Sequence, residues 1–388
     1  DDEKLWTVRC ANRRALVGFV RERLPAQLAA AGLPEPAAAA VAHVFDGDAL
    51  TLGLARRFTS YKRPGLLLHD PERLARLLCD ARRPVQIVVA GKAHPRDEEG
   101  KALVARWIEF VRRPDVRPRA VFLADYDLRL AERMVQGVDL WINTPRPPLE
   151  ACGTSGMKVL VNGGLNLSSL DGWWAEAHSD DVGWALPPGA RSDGEDASAL
   201  YELLEREVVP AFYSRDASGL PRAWVAKMRA SMSTLAGKYS SNRALRDYVD
   251  RFYVPGAREH VRRAASGCAA AVEMTAAAAL LRELFSSIRF GDVTVAVDGA
   301  RQVLSVAVYV DDIAPDLLAV ELCADATADS PAVALPMRRG APLVGAHGFT
   351  FSAEVPTGRA AADCTPRVVP RIAGMAVPLE LPLVRWQR

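Results

Sequence analysis

Asn143-Thr-Pro-Arg-Pro-Pro-Leu-Glu150-Ala-Cys-Gly153-Thr-Ser-Gly-Met-Lys158-Val-Leu-Val-Asn-Gly-Gly-Leu-Asn-Leu-Ser-Ser-Leu-Asp-Gly-Trp-Trp174 is the stretch on which the reading of this chain turns. An apolar, strand-like run from Val138 to Asn143 leads into it. Proline fixes its own φ and keeps the preceding residue extended, so Thr144 to Pro148 makes a defined loop. Small and hydroxyl residues from Gly153 to Gly156 then precede an apolar helical segment. Such a helix start has free N–H groups that suit an anion, with Lys158 one turn inside. The same residues also read as a plain helix cap, a solvated lysine and a loop carboxylate. Apolar neighbours on either side of Glu150 and Lys158 favour the chemical reading, because unpaired charge in apolar company is costly. Desolvation lowers a lysine pKa and makes its amine a candidate for attachment to a carbonyl group.

Working outward, β and α patterns alternate upstream. Asp2 to about Leu24 predicts a helix, with Leu5, Trp6, Leu16, Phe19 and Val20 at helical spacing. A second, alanine-rich helical piece follows Pro34 and Pro36 and ends near Val44. Strands are predicted at Leu50–Ala55, Val85–Ala90, Ala120–Leu123 and from Leu140, and helices at Tyr61–Leu78 (with a break near Pro71), Glu98–Val111 and Leu128–Gln136. This alternation argues an α/β fold with a doubly wound, Rossmann-like parallel sheet, whose ligands gather beyond the carboxyl ends of the strands. Arg56-Arg57, Gly91-Lys92, Asp125-Tyr126 and Asn143 to Glu150 all fall at those ends.

Past Trp174 the chain reads as helical: Ala197–Phe212, Arg222–Ala236, Ser241–Phe252 and Ala257–Phe285. From Phe290, period-two alternation at Val293–Val297, Leu304–Val310, Leu318–Leu322 and Phe349–Phe351 predicts a small antiparallel β-sandwich. The expected organisation is a helical lead-in (1–45), a Rossmann-like domain with C-terminal helices (46–255), a connecting helix (256–289) and a β-sandwich extension (290–388).

With 388 residues the chain has room for two or three domains with substantial cores. Lys+Arg of 49 against Asp+Glu of 47, with no block of like charge, gives no support to nucleic-acid or acidic-membrane binding. The closest approach to a membrane-spanning run, Cys268 to Leu281, contains Glu273. Six widely spaced cysteines and six scattered histidines (His43, His69, His94, His178, His260, His347) point away from zinc and from a disulfide framework, towards a reducing cytoplasm.

A second chemical cluster is Ala55-Arg56-Arg57-Phe58-Thr59-Ser60-Tyr61-Lys62-Arg63. It reads either as a basic surface turn or as a clamp for phosphate dianions, with arginine giving bidentate bonds and lysine a point charge.

The run Pro148 to Lys158 closely resembles the cofactor-lysine region of the glycogen/α-glucan (maltodextrin) phosphorylases, especially the shorter bacterial type. That family carries Pro-Leu-Glu-Ala-Ser-Gly-Thr-Ser-Gly-Met-Lys, and the one departure here is Cys152 in place of serine. Val159-Leu-Val-Asn-Gly, Asp171-Gly-Trp-Trp, Ala55-Arg-Arg-Phe, Tyr61-Lys-Arg, Ala90-Gly-Lys-Ala and Gly237-Lys-Tyr-Ser-Ser-Asn-Arg extend the likeness along the chain. The resemblance implies the second domain of a two-domain GT-B glycosyltransferase. The activity implied is phosphorolysis of α-1,4-glucan by inorganic phosphate to α-glucose 1-phosphate, with retention, using pyridoxal 5'-phosphate.

By that likeness Lys158 anchors the cofactor, whose phosphate rather than ring does the work, passing a proton to the substrate phosphate. Arg57 and Lys62 would hold the substrate phosphate. Arg56, Thr154, Ser155 and Tyr126 would serve the cofactor. Glu150, with the backbone at Cys152 and Gly153, would bind glucosyl hydroxyls. The N-terminal domain of the family, with its catalytic-loop histidine, has no counterpart here. The expectation is therefore a C-terminal half that needs that domain or a complementing chain, and whose exposed cleft favours homo-oligomers. The other readings are a non-catalytic glucan-binding or regulatory remnant, and a nucleotide-sugar glucan synthase of the same fold.

Overall fold

The computed structural model describes residues 1–32, 43–189, 191–298, 301–327 and 330–387, and it divides into two compact units, Asp1–Leu245 and Arg246–Arg388. The helical piece expected between Pro34 and Val44 falls largely outside the described residues.

In the first unit a long helix α1 (Asp2–Ala30) precedes a parallel sheet of β1 (Leu50–Phe58), β2 (Val85–Ala93), β3 (Ala120–Leu123), β4 (Leu140–Asn143), β5 (Leu165–Ser168) and β6 (Gly183–Ala185). Between and after the strands come α2 (Pro71–Leu78), α3 (Glu98–Arg112), α4 (Leu128–Gly137), α5 (Thr154–Val161), α6 (Asp193–Leu203) and α7 (Arg222–Leu235). The strand order is β3-β2-β1-β4-β5-β6, so the chain winds outward from β1 in one direction and from β4 in the other. The reversal lies between β1 and β4, and open α/β sheets bind ligands at the carboxyl end of such a switch.

Strand alternation places two cores. Leu50, Leu52, Leu54, Val85, Ile87 and Val89 join Trp107 and Phe110 of α3 on one face. Ala55, Val88, Ala90, Val121 and Leu123 join Leu16, Val17 and Val20 of α1 and Leu130 and Met134 of α4 on the other. A sheet covered on both faces requires strands apolar at nearly every position, and β1 and β2 read that way. β2 pairs with β1 along its whole length, whereas β4 pairs with β1 only at Leu52 and Gly53, before the two strands part.

Several elements differ from the expectation. Tyr61–Leu78 is helical in separate pieces, not as one helix: two short 3₁₀ turns, Ser60–Lys62 and Leu66–His69, precede α2, which starts at the expected break, where Pro71 takes the first helical position and Asp70 caps it. β5 and β6 extend the sheet beyond the four strands expected from the sequence. Ala197–Phe212 is interrupted by a π-helical turn at Leu204–Val208.

In the second unit, α8 (Val254–Leu284) is broken at Ala265–Cys268, where Ser266, Gly267 and Cys268 adopt left-handed backbone angles. By length and composition alone, Ser241–Ser287 is long and apolar enough to cross a membrane. Two antiparallel sheets follow, built from β7 (Arg289–Asp298), β8 (Arg301–Tyr309), β9 (Leu318–Ala324), β10 (Val333–Pro336), β11 (Arg338–Pro342), β12 (Gly348–Glu354), β13 (Thr365–Pro370) and β14 (Arg385–Trp386). Their orders are β11-β12-β8-β7 and β10-β9-β13-β14. Leu304, Val306 and Val308 of one sheet and Leu318, Val320, Leu322 and Val368 of the other share a single apolar cluster.

Candidate active site

At the carboxyl end of β1 the side chains of Arg56 and Arg57 part company. Arg56 turns towards β4 and is 8% exposed, while Arg57 is exposed beside its register neighbour Lys92 of β2. The Arg57 side chain makes no hydrogen bond or ion pair among the described residues.

Arg56 bridges the parting strands. Its Nη2 donates to Oδ1 of Asn143, the last residue of β4, and its Nη1 donates to the Lys62 carbonyl at 2.9 Å. Glu150 Oε2 lies 3.4 Å from Arg56 Nη2 and 2.6 Å from Lys62 Nζ, so one carboxylate serves two cations. The Glu150 carboxylate is 10% exposed and Lys62 is 16% exposed. At such depth each charge needs the other, since leaving either alone in low dielectric is expensive. Burial drives the Arg56 guanidinium down to about 10, against the opposing pull of Glu150.

The loop that carries Glu150 is fixed from several sides. Arg146 N–H donates to the Tyr61 carbonyl at 2.7 Å and Glu150 N–H donates to Asp171 Oδ2 at 2.8 Å. Trp173 N–H donates to the Cys152 carbonyl at 2.9 Å. Gly172 sits under this contact with φ 55°, and a Cβ there would lie 2.5 Å from the Cys152 oxygen, so only glycine fits. Asn143 Nδ2 donates in turn to Ser168 Oγ at 2.9 Å, tying the end of β4 to the end of β5. Arg63 lies apart from the basic surface: it is buried and holds the loop by donating to the carbonyls of Thr144 and Pro145 and to Asp196.

Helix α5 starts at Gly153, in the left-handed conformation (φ 83°, ψ 52°), with no side chain capping its first turn. Its faces separate cleanly. Gly156, Val159 and Leu160 are buried, whereas Thr154, Lys158 and Val161 lie along an exposed stripe. Lys158 is therefore not in the apolar surroundings that its sequence neighbours implied, because successive helical residues point about 100° apart. The Lys158 amine makes no ion pair or hydrogen bond among the described residues. Ser155 Oγ accepts from Trp141 Nε1 at 3.2 Å, which orients the second residue of the helix. An unpartnered amine, uncapped helix amides and nearby strand-end cations form a donor set that fits a group carrying an aldehyde and a phosphate.

Two candidate residues stand outside this ionic cluster. Tyr126 is half-buried, packed against the apolar cluster shared by α1 and α4, and burial raises its phenol. Cys152 is half-buried, and burial likewise raises its thiol. Sequence reasoning named the loop from Asn143 but not the roles of Asn143 and Asp171 as loop fasteners. Their position, Asn143 closing β4 and Asp171 in the turn that follows β5, was the available signal.

A family model described as carbohydrate phosphorylase matches residues 46–183, which include every candidate residue named above. The chain is 43% identical over 299 residues to glycogen phosphorylase of Mycobacterium tuberculosis, across 76% of this chain and 35% of that protein. It is 43% identical over 266 residues to glycogen phosphorylase of Aquifex aeolicus, covering 65% of this chain and 37% of the relative. It is 40% identical over 258 residues to maltodextrin phosphorylase of Thermococcus litoralis, covering 65% and 30%. The chain thus spans about a third of the length of these curated relatives. Family model and relatives agree with the run Pro148 to Lys158, and the chain belongs to the carbohydrate phosphorylase family.

Proposed function

We propose that this chain carries the phosphate-handling side of a cytoplasmic α-glucan phosphorylase, which cleaves α-1,4-glucan with inorganic phosphate to α-glucose 1-phosphate with retention. The observation that carries this reading is the junction of Arg56, Lys62 and Glu150 at the switch point of the sheet, in the same loop-and-helix unit as Lys158. Pyridoxal 5'-phosphate, when bound, supplies a phosphate that exchanges a proton with the substrate phosphate.

The work of the protein's own residues is electrostatic. Two phosphate groups in contact repel, and neighbouring cations are required to hold them. Arg57, exposed and unpaired among the described residues, is available for bidentate bonds to the substrate phosphate, with Lys62 adding a point charge. Arg56 and the amides of Thr154 and Ser155 would hold the cofactor phosphate, Lys158 would anchor the cofactor, and Tyr126 would serve as a further cofactor contact. Glu150 accepts from glucosyl hydroxyls together with the main chain at Cys152 and Gly153. The serine-to-cysteine difference at Cys152 leaves this contact intact because it is made by backbone groups.

In this reading the parallel-sheet unit is one half of a GT-B architecture and the second unit is an appended β-sandwich. The opposing wall of the cleft belongs to the part of the phosphorylase relatives that this chain does not match. The 388-residue chain alone is then expected to hold cofactor without turning over glucan. The test is borohydride trapping with pyridoxal phosphate and peptide mapping, followed by phosphorolysis assays with and without an added phosphorylase N-terminal domain. An adduct on Lys158, with turnover only in the mixture, is the expected result. No adduct in excess cofactor would sink the cofactor reading, and turnover by the chain alone would sink the requirement for a partner.

A further inference from the structure

The second unit has a cleft that none of the phosphorylase residues enters. It measures about 770 Å³ and is lined by Arg289, Phe290, Tyr309, Asp311, Asp312 and His347, with Gly345 and Ala346 at its rim. That size falls within the range of about 300–1,000 Å³ usual for small-molecule sites.

The topology explains why these side chains converge. Tyr309 ends the central strand β8, and its register partners are Arg289 at the start of β7 and Gly348 at the start of β12. The Val310 N–H donates to the His347 carbonyl at 2.9 Å, which brings the loop before β12 against the turn after β8. Asp311 follows in that turn, and its Oδ1 lies 3.5 Å from Arg289 Nη2.

Tyr309 is set down as a platform. The pairing of β7 with β8 is irregular between Phe290 and Val293, and Gly291 lies in that irregularity. A Cβ at Gly291 would stand 3.2 Å from Tyr309 Cε2 and 3.5 Å from its hydroxyl, so the ring rests against bare backbone. On its other flank the register partner is again glycine, Gly348. The ring is half-buried and keeps area free for a ligand. Bulges of this kind commonly re-aim a side chain at a strand end.

The chemistry narrows the ligand. Among the described residues no group of His, Cys, Asp and Glu is arranged to hold a metal ion. Two carboxylates oppose an anion, and Arg289 opposes a cation. What remains is a neutral molecule with an apolar face for the tyrosine and a rim of hydroxyls for donors (Arg289, His347, the Tyr309 hydroxyl) and acceptors (Asp311, Asp312). A pyranose ring has this form.

We propose that the cleft at Tyr309 is a second carbohydrate site, which holds a stretch of α-glucan on the β-unit with residues that the phosphate-handling site does not use. The choice of glucan among carbohydrates rests on the phosphorylase reading.

The test uses the full 388-residue chain. Its mobility is measured in native gels with and without glycogen, and maltoheptaose binding is measured by calorimetry. Wild type is expected to be retarded by glycogen. Tyr309→Ala is expected to weaken binding about tenfold, as for loss of one aromatic contact, and Asp311→Asn to weaken it in the same direction. If Tyr309→Ala lowers the melting temperature, the exposed Asp312→Asn variant answers in its place.

Absence of retardation in wild type overturns the proposal, as does retardation that persists in all three variants. Retardation lost in Glu150→Ala but kept in Tyr309→Ala assigns glucan to the first unit, which also overturns it and leaves the phosphorylase reading standing. Retardation that depends on Tyr309 without cofactor trapping at Lys158 supports the cleft and counts against the phosphorylase reading alone.

Discussion

Lys62 Nζ stands 2.6 Å from Glu150 Oε2, although 88 residues separate the two in the chain. The pair sits at the mouth of the sheet's switch point with Arg56 as a third member, so its strength is measurable by a double-mutant cycle. Lys62→Met and Glu150→Leu each leave a partly buried charge with one partner fewer, and the double variant removes both. We expect a coupling of about 1–3 kcal/mol in urea unfolding. Additive single effects would mean that the pair contributes no net attraction.

Asp139 is fully buried; it accepts from Arg13 Nη1 and from the Thr51 N–H, each at 3.0 Å, and forms an ion pair with the buried Arg9, whose Nε lies 3.4 Å away. It fastens α1 to the start of β4 and to β1. Asp139→Ala strands two guanidinium groups in the interior and is expected to cost about 3–5 kcal/mol. A loss below about 1 kcal/mol in equilibrium unfolding would contradict that account.

The acid response of the second unit should run through Glu380. Its carboxylate takes a bidentate pair from Arg263 (2.7 and 2.9 Å) and the Ala376 N–H at 2.7 Å. These bonds, the Arg263 pair foremost, hold its pKa down to about 2. The folded value lies below the unfolded value of about 4.3, so the contribution is complete above about 4.3 and is lost as pH falls towards 2. Both groups are about a third exposed, which keeps the effect modest. Glu380→Gln should be less stable than wild type at pH 6, and the gap should close on acidification. A gap independent of pH would sever Glu380 from the acid limb.

Gly172→Ala tests the packing beneath the Glu150 loop. The new methyl group meets the Cys152 carbonyl and the residue's φ of 55° is strained for alanine, so the loop must shift. We expect a loss of about 1–3 kcal/mol in stability and weaker phosphate binding together. Wild-type stability with wild-type phosphate affinity would show that the loop accommodates a side chain there.

The parallel sheet was legible because β1 and β2 are long apolar runs bounded by turn residues, and the helices between them carry clear 3.6-residue spacing. β5 was not, because its alternation of Leu165 and Leu167 with Asn166 and Ser168 lasts only four residues and would mark a half-exposed strand, whereas all four are buried. Both polar side chains are buried and hydrogen-bonded to Gly156 O and Asn143 Nδ2, which only the fold supplies. β6 has three residues, too few for any periodicity. Within the site, sequence named Arg56, Lys62 and Glu150 through family likeness, but their junction depends on strand order. The surroundings of Lys158 were misjudged for a simpler reason: flanking residues in a helix are not neighbours in space, and the turn-mates of Lys158 are Thr154 and Val161.

β1 is zipped to β2 from Leu50 to Phe58 and to β4 only at Leu52 and Gly53. The sheet therefore resembles a pair of jaws with a short closed root, and beyond that root the two halves are laced by the Arg56 side chain on Asn143, by Arg63 on the Thr144 and Pro145 carbonyls and by the Arg146 N–H on the Tyr61 carbonyl. On the phosphorylase reading proposed above, an anion drawn to Arg56 would compete with Asn143 for the same guanidinium, so binding would bear on the joint between the two wings of the sheet.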